Sequence, residues 1–257
     1  MGHVSVIGVG NMGGAFVTGL ASAGQYTVTA VDADPEALAA VESAAEETTT
    51  DLAAAREADL VVLAVKPSVV DAVLEDLELR PEQTLLTFAA GVAREYVAAR
   101  TDATVVRVMP NLAAETGHMA AAVAGPVTDE VRALLDAVGE FVEVEESLMD
   151  TATAVNGSGP AFVFYLVEAM KQAGVDGGLD PEEAELLAAQ TFRGAAETVL
   201  RDDRSVDELI DAVCSPNGTT IEGMELLWDS DVQTEFAGAV EAAARRSREL
   251  AEGFEDE

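Results

Sequence analysis

Cysteine is nearly absent from this sequence. Cys214 is the only one in 257 residues, so no disulfide can close within the chain. That scarcity fits a reducing compartment, and the cytoplasm is the expected location. Lysine is almost as rare: Lys66 and Lys171 are the only two, and 14 Lys and Arg stand against 48 Asp and Glu, a formal net charge of −34. Nucleic acid and anionic membranes both require positive surface, so neither is expected as a partner. The carboxylates are spread along the chain without a metal-ligand spacing. They read as a solvated acidic surface suited to a high-salt, halophilic cytoplasm, where screening relieves self-repulsion. The only two histidines, His3 and His118, lie far apart in the chain, and no metal site is expected. No uninterrupted apolar run approaches the roughly 18 residues of a membrane span. The opening "MGHVSVIGVG" lacks the basic region, apolar core and cleavage site of a secretory leader.

What is present is a chain that is 49% hydrophobic, enough to exclude general disorder. Its first half alternates β-branched runs with helical spacing. His3–Val9, Thr27–Val31, Asp59–Val65, Thr84–Ala90, Ala103–Met109 and "EFVEV" read as strands. Between them, residues 11–24, the segment "DPEALAAVESAA" with Pro35 in its first turn, and stretches around 69–77, 94–100 and 129–138 read as helices. This order predicts right-handed crossovers and a mostly parallel, doubly wound sheet, a Rossmann-like α/β domain. From Ser147 onward only helices are expected, over 161–173, 181–200, 206–213, 220–228 and 232–251, with a frayed acidic tail "EGFEDE". The predicted division is an α/β dinucleotide-binding domain over 1–148 and an all-α domain over 149–257.

"GVGNMGG" sets Gly8, Gly10 and Gly13 in G-x-G-x-x-G spacing directly after a strand and at the start of a helix. Gly8 allows the tight turn, Gly10 admits a pyrophosphate to the backbone, and Gly13 lets helix and strand pack closely. The helix N-terminus offers unpaired N–H groups to phosphate. Gly8, Gly10, Asn11, Met12 and Gly13 are therefore candidate cofactor contacts. Asp32 stands about 20 residues on, where a carboxylate accepts from a ribose 2′-hydroxyl and repels a 2′-phosphate. "VDADP" holds no Lys or Arg, which tilts the choice between NADH and NADPH toward NADH; Asp32 as a plain loop or cap residue is the other reading. Ligands in such sheets bind beyond the carboxyl ends of strands. Ala64-Val65-Lys66-Pro67, Ala89-Ala90-Gly91 and Met109-Pro110-Asn111 all fall at such ends, and Lys66 is a lysine kept where lysine is scarce.

Near the C-terminus, "VCSPNGTTI" packs small donors into one turn between helices. Pro216 and Asn217-Gly218 are turn chemistry, but Ser215, Thr219 and Thr220 exceed what a turn needs. An ordinary helix connection capped by Ser or Thr is the alternative.

Taken together, "GVGNMGGA", "AVKP", "AAGV", "MPN", "NGSGPAFVFYLVEAM" and "CSPNGTTIEGM", in this order from residue 8 to 224, resemble the pyrroline-5-carboxylate reductase family. The last two segments are the specific ones. The resemblance implies NAD(P)H-dependent reduction of 1-pyrroline-5-carboxylate to L-proline, the last step of proline synthesis, with a helical C-terminal domain that dimerises. It implies that Thr220 hydrogen-bonds the ring nitrogen and that Ser215, Gly218 and Thr219 hold the substrate carboxylate. Departures are Leu112-Ala113 where Thr-Pro is usual, Asn156 where Ser or Thr is usual, and Asn217 for a common Gly. Asn tolerates a left-handed conformation, so the turn is expected to survive.

Two other readings stay open. One is a hydroxyacid or deazaflavin-linked NADP oxidoreductase sharing the cofactor domain; Lys171 lies on a helix but lacks the surrounding pattern of a hydroxyacid enzyme. The other is a dinucleotide-binding protein without turnover. "AFVFYLVEAMKQAG" is apolar around most of its circumference, so a homodimer or larger homo-oligomer is expected.

Overall fold

Strand runs bounded by Gly, Asp and Pro place β1 (Gly2–Ile7), β2 (Tyr26–Val31), β3 (Glu47–Thr49), β4 (Leu60–Leu63), β5 (Thr84–Thr87), β6 (Thr104–Met109), β7 (Met119–Ala124) and β8 (Gly139–Glu143) in one sheet. The computed structural model describes residues 2–255. The sheet order is β3-β2-β1-β4-β5-β6-β7-β8, and only the β6–β7 pair is antiparallel. This is the expected doubly wound architecture. The strands β3 and β7 were not foreseen. The first is three residues with a charged start, and the second, "MAAAVA", is alanine-rich and low in β-propensity.

Period-two alternation explains why the central strands are apolar throughout. Val4, Val6 and Val62 enter the core on one face, and Ile7, Val61 and Leu63 enter the core on the other. Helices α1 (Asn11–Ala23), α2 (Pro35–Val41), α3 (Val70–Asp76), α4 (Arg94–Ala98) and α5 (Asp129–Asp136) cover the sheet. α1 buries Phe16 and Leu20 completely, and Phe16 meets Phe88 edge-on at 5.1 Å. Each such side chain contributes about 1.5–3 kcal/mol by burial. Gly24 ends α1 in the left-handed conformation, its N–H bonded to Leu20 and Ala21 carbonyls. α2 stops at Val41, shorter than its sequence suggested.

After β8 the chain is helical throughout: α6 (Met149–Ala152), a π-helical turn (Thr153–Gly157), α7 (Gly159–Asp176), α8 (Pro181–Arg201), α9 (Val206–Val213), α10 (Thr219–Trp228) and α11 (Val232–Glu255). Asp180 caps α8 by accepting from the Glu182 N–H at 2.9 Å, with Pro181 in the first turn. α11 runs to Glu255, beyond the predicted end at 251, and residues 256 and 257 of the acidic tail lie outside the described residues. By mutual contact the chain gathers into two compact units, Met1–Ser158 with Val240–Glu257, and Gly159–Ala239. Among the described residues, no helix is long and apolar enough to cross a membrane.

Candidate active site

In the first unit the glycine turn is shaped by close approach. Gly8 has φ +85°, and a Cβ there would lie 2.8 Å from the Ala64 carbonyl oxygen. A Cβ on Gly13 would collide with the Gly8 carbonyl oxygen, so both positions require glycine. Gly10 is different: a Cβ would meet nothing within 4 Å, so the face outside this residue is open. Gly10 is also the N-cap of the 13-residue α1, with no side chain capping it and no acidic residue in the first turn. Among the described residues no side chain caps these first-turn N–H groups, and the arrangement fits a pyrophosphate.

Asp32 sits at the end of β2 with both carboxylate oxygens engaged. Oδ2 accepts from the Val9 N–H at 2.8 Å, and Oδ1 from the Asp34 N–H at 2.9 Å. Asp34 in turn caps α2 by accepting from the Glu36 N–H. Asp32 therefore fixes the turn that follows β1 while placing a negative charge beside it. A groove of about 370 Å³ next to the turn is lined by Gly10, Asn11, Thr18, Asp34 and Glu115, with no basic residue among its lining.

The other strand-end segments follow in the same unit. Lys66 follows β4, precedes a 3-10 turn (Pro67–Val69), and has no ion-pair partner among the described residues. Ala89-Ala90-Gly91 follows β5, with Gly91 at φ +77°, where a Cβ would lie 3.2 Å from the backbone N of Ala251 on α11. Ser247 on the same helix donates to Asp150 Oδ1 at 2.6 Å. Asn111 follows β6, and its side chain is held by backbone: Oδ1 accepts from the Ala113 and Ala120 N–H groups, both at 3.2 Å, and Nδ2 donates to the Asn156 carbonyl.

Sequence reasoning missed one feature of this unit, an ion pair between a buried arginine and a half-buried glutamate. Arg107 on β6 is 5% exposed and donates to Glu146 Oε1 at 2.7 Å; the Arg94 N–H donates to the same oxygen at 3.0 Å. The pair joins β6, the start of α4 and the segment leading to α6. Arg107 lies in a strand-like run and Glu146 is one of many acids, so nothing in the sequence pairs them.

In the second unit, Ser215–Thr220 forms the turn into α10. Asn217 has φ +59°, the only left-handed non-glycine among the described residues, as its amide permits. The Gly218 N–H donates to the Ser215 carbonyl at 2.9 Å, and a Cβ on Gly218 would strike Ser215 Oγ. Gly218 is the N-cap of α10 with no side-chain cap, so the N–H groups of its first turn and the hydroxyls of Ser215, Thr219 and Thr220 are grouped at one helix end. Thr220 and Cys214 also line an apolar cavity of about 400 Å³ between α8, α9 and α10. Lys171 on α7 is bonded to Glu185 at 2.7 Å and lies 3.4 Å from Glu168. The Glu185 hydrogen bond holds its ammonium above its ordinary pKa, the opposite of what a catalytic base requires. No residue of the 18-residue α7 is buried, and Phe164 and Tyr165 are 70% and 76% exposed.

Nearly the whole chain is similar to pyrroline-5-carboxylate reductases. A family model described as pyrroline-5-carboxylate reductase dimerisation matches residues 146–250, and one described as coenzyme F420-dependent NADP oxidoreductase matches residues 3–91. A pyrroline-5-carboxylate reductase of Methanosarcina acetivorans is 38% identical, covering 96% of this chain and 97% of that protein. One of Mycobacterium leprae is 37% identical over 97% of each. Among solved structures, a pyrroline-5-carboxylate reductase from Coxiella burnetii superposes with a TM-score of 0.86 at 30% identity, covering 96% of this chain and 98% of that one. The Plasmodium falciparum pyrroline carboxylate reductase, solved with NADP bound, gives 0.83 at 26% identity, covering 97% and 98%.

Proposed function

The chain belongs to the pyrroline-5-carboxylate reductase family, and from that premise we infer that it is an NAD(P)H-dependent oxidoreductase acting on a CH–NH group, reducing 1-pyrroline-5-carboxylate to L-proline. The observation that carries the reading is the conjunction of an open, uncapped glycine turn at α1 with a donor-rich turn at α10 in one chain. The F420-linked match covers the cofactor half alone, which several reductase families share; the dimerisation model covers the other half.

When bound, the reduced nicotinamide supplies the hydride for the imine carbon. The work assigned to the protein is binding and orientation. Gly8, Gly10, Asn11, Met12 and Gly13 cradle the pyrophosphate, with Ala64, Val65, Lys66 and Pro67, Ala89, Ala90 and Gly91, and Asn111 forming the remaining walls at the strand ends. Asp32 favours NADH by setting negative charge where a 2′-phosphate would lie. Ser215, Gly218 and Thr219 hold the substrate carboxylate through N–H and O–H donors at the α10 N-terminus. Thr220 orients the ring nitrogen; its hydroxyl is too weak an acid to serve alone, so the proton comes from water through it.

We assign the cofactor to residues 1–148 and the substrate and subunit contacts to 149–257. The family's dimerisation region and the fully unburied α7 support a homo-oligomer, which we take to be at least a dimer. The acidic, lysine-poor surface suits a salt-rich cytoplasm. The test is loss of dihydronicotinamide absorbance with pyrroline-5-carboxylate, at low and at molar KCl. Cofactor binding without turnover at either salt would replace the enzyme by a non-catalytic dinucleotide-binding protein.

A further inference from the structure

Strand β6 pairs with β7 in the register Arg107↔Ala124, Val108↔Val123 and Met109↔Ala122, and there the ladder stops. The next residue, Pro110, has no N–H with which to continue it. Beyond that point two side-chain amides carry the strand pair. Asn111 Oδ1 accepts from the Ala120 N–H at 3.2 Å. Asn156 Nδ2 donates to the Ala120 carbonyl at 2.9 Å and to the Met109 carbonyl at 2.7 Å. The circuit closes through Asn111 Nδ2, which donates to the Asn156 carbonyl at 3.1 Å. Exchanging the oxygen and nitrogen of Asn156 would set its oxygen against two carbonyl oxygens, so the partners fix its orientation.

Asn156 is on the π-helical turn Thr153–Gly157, a local widening of the helix of the kind that recurs at functional sites. Its Oδ1 is buried and has no hydrogen-bond partner among the described residues. The residue therefore contributes through its two N–H donors, and among uncharged side chains only Asn and the longer Gln present two donors from one nitrogen. The turn these donors hold, Met109-Pro110-Asn111, adjoins Ala89-Ala90-Gly91, because β5 and β6 are parallel neighbours with Thr87 beside Arg107. It lies three strands from β1, about 14 Å along the sheet, on the side toward which a dinucleotide with its phosphates on α1 would extend its nicotinamide.

We propose that Asn156 is a positioning residue for imine reduction: its two N–H donors lock the Met109–Asn111 turn that walls the nicotinamide end of the cofactor site. It touches neither cofactor nor substrate and acts through the turn. The inference rests on the reading of function given above. Asn111, held by three backbone groups, acts with it as part of the same lock.

The experiment compares Asn156→Ala and Asn156→Ser with the unaltered protein in the same salt. It measures kcat, the isotope effect with deuterated NADH, the Kd for NADH by nucleotide fluorescence, and thermal melting. Loosening the wall misaligns hydride transfer but leaves the phosphate contacts alone. Asn156→Ala is therefore expected to lower kcat about tenfold or more and raise the isotope effect, with Kd changed less than about twofold. Asn156→Ser, with one donor, falls between. In folded Asn156→Ala, an unchanged kcat overturns the role, as does a fall in kcat matched by an equal loss of NADH affinity. Should Asn156→Ala melt below the assay temperature, Asn156→Ser decides: a kcat about threefold lower with unchanged Kd supports the role, and an unchanged kcat overturns it. No turnover by the unaltered protein overturns the assigned reaction and this role together, which separates that failure from a failure of Asn156 alone.

Discussion

The backbone N–H of Val9 donates to Asp32 Oδ2 at 2.8 Å, tying the end of β2 to the turn that leaves β1. Of the two roles that the sequence offered as alternatives, these contacts are those of the loop clamp, and the choice of cofactor is the role we propose beside it. The proposal rests on its negative charge at the end of the second strand, where dinucleotide-binding sheets select between a ribose hydroxyl and a phosphate.

Replacing Asp32 by Ser separates the two. Removing the charge is expected to raise the NADPH/NADH ratio of kcat/KM about tenfold or more, equivalent to about 1.4 kcal/mol. Losing charged acceptors for two backbone N–H groups costs stability, about 1.5–3 kcal/mol per bond. Kinetics with both cofactors and a thermal melt check the two effects. An unchanged cofactor ratio in a folded variant would remove the selectivity assigned to Asp32.

Gly10 and Gly13 make opposite demands. Gly13→Ala drives a methyl into the Gly8 carbonyl oxygen and is expected to destabilise the first unit by about 1–3 kcal/mol. Gly10→Ala meets no protein atom, so its melting temperature should hold while NADH affinity drops about tenfold or more, because the methyl stands where the pyrophosphate approaches. Melting curves and fluorescence titration of NADH distinguish the pair.

At the α10 turn, Asn217→Gly should leave stability unchanged or slightly higher. Asn217→Val should cost about 1–2 kcal/mol, since a β-branched residue resists φ +59°. Thr220→Ala should leave the melt unchanged and lower kcat/KM, with Thr220→Ser restoring part of it. Full activity in Thr220→Ala would remove Thr220 from the mechanism.

Arg204 holds the Asp202 carboxyl down to about 2, from an ordinary value of 3.8, mainly by a side-chain hydrogen bond. A carboxylate depressed in the folded state contributes stability above its unfolded pKa and loses it as pH falls through the folded one. The loss here runs from just below pH 4 to about pH 2. The pair is exposed, so carboxyl NMR titration is the sensitive probe. Arg204→Ala should return Asp202 toward its ordinary value, and an unmoved titration would contradict the assignment.

Net charge predicts the response to salt. A chain at −34 repels itself, and the screening length shortens from about 10 Å at 0.1 M salt to about 3 Å at 1 M. The melting temperature should therefore rise between 0.1 and 1 M KCl. A flat or falling curve would sink the salt-adapted reading of the surface.

The sequence by itself determined the parts written in short-range pattern. Short β-branched and apolar runs marked six of the strands, and G-x-G-x-x-G after a strand marked the phosphate turn. Pro181 behind Asp180 marked a helix start, and Asn217 could be read as a left-handed turn residue from its own chemistry. Tertiary structure decided what depends on neighbours remote in the chain. Met119–Ala124 is a strand because β6 and β8 flank it, despite its alanines. Arg107 and Glu146, 39 residues apart, become an ion pair only when β6 and the approach to α6 come together. Asn156 gains its partners from residues 36 and 47 positions away, at the point where Pro110 ends a ladder. Local pattern reflects backbone sterics and burial of a face, which a short window contains. Hydrogen bonds between distant side chains and strand ends depend on which segments the fold makes adjacent, and no short window contains that.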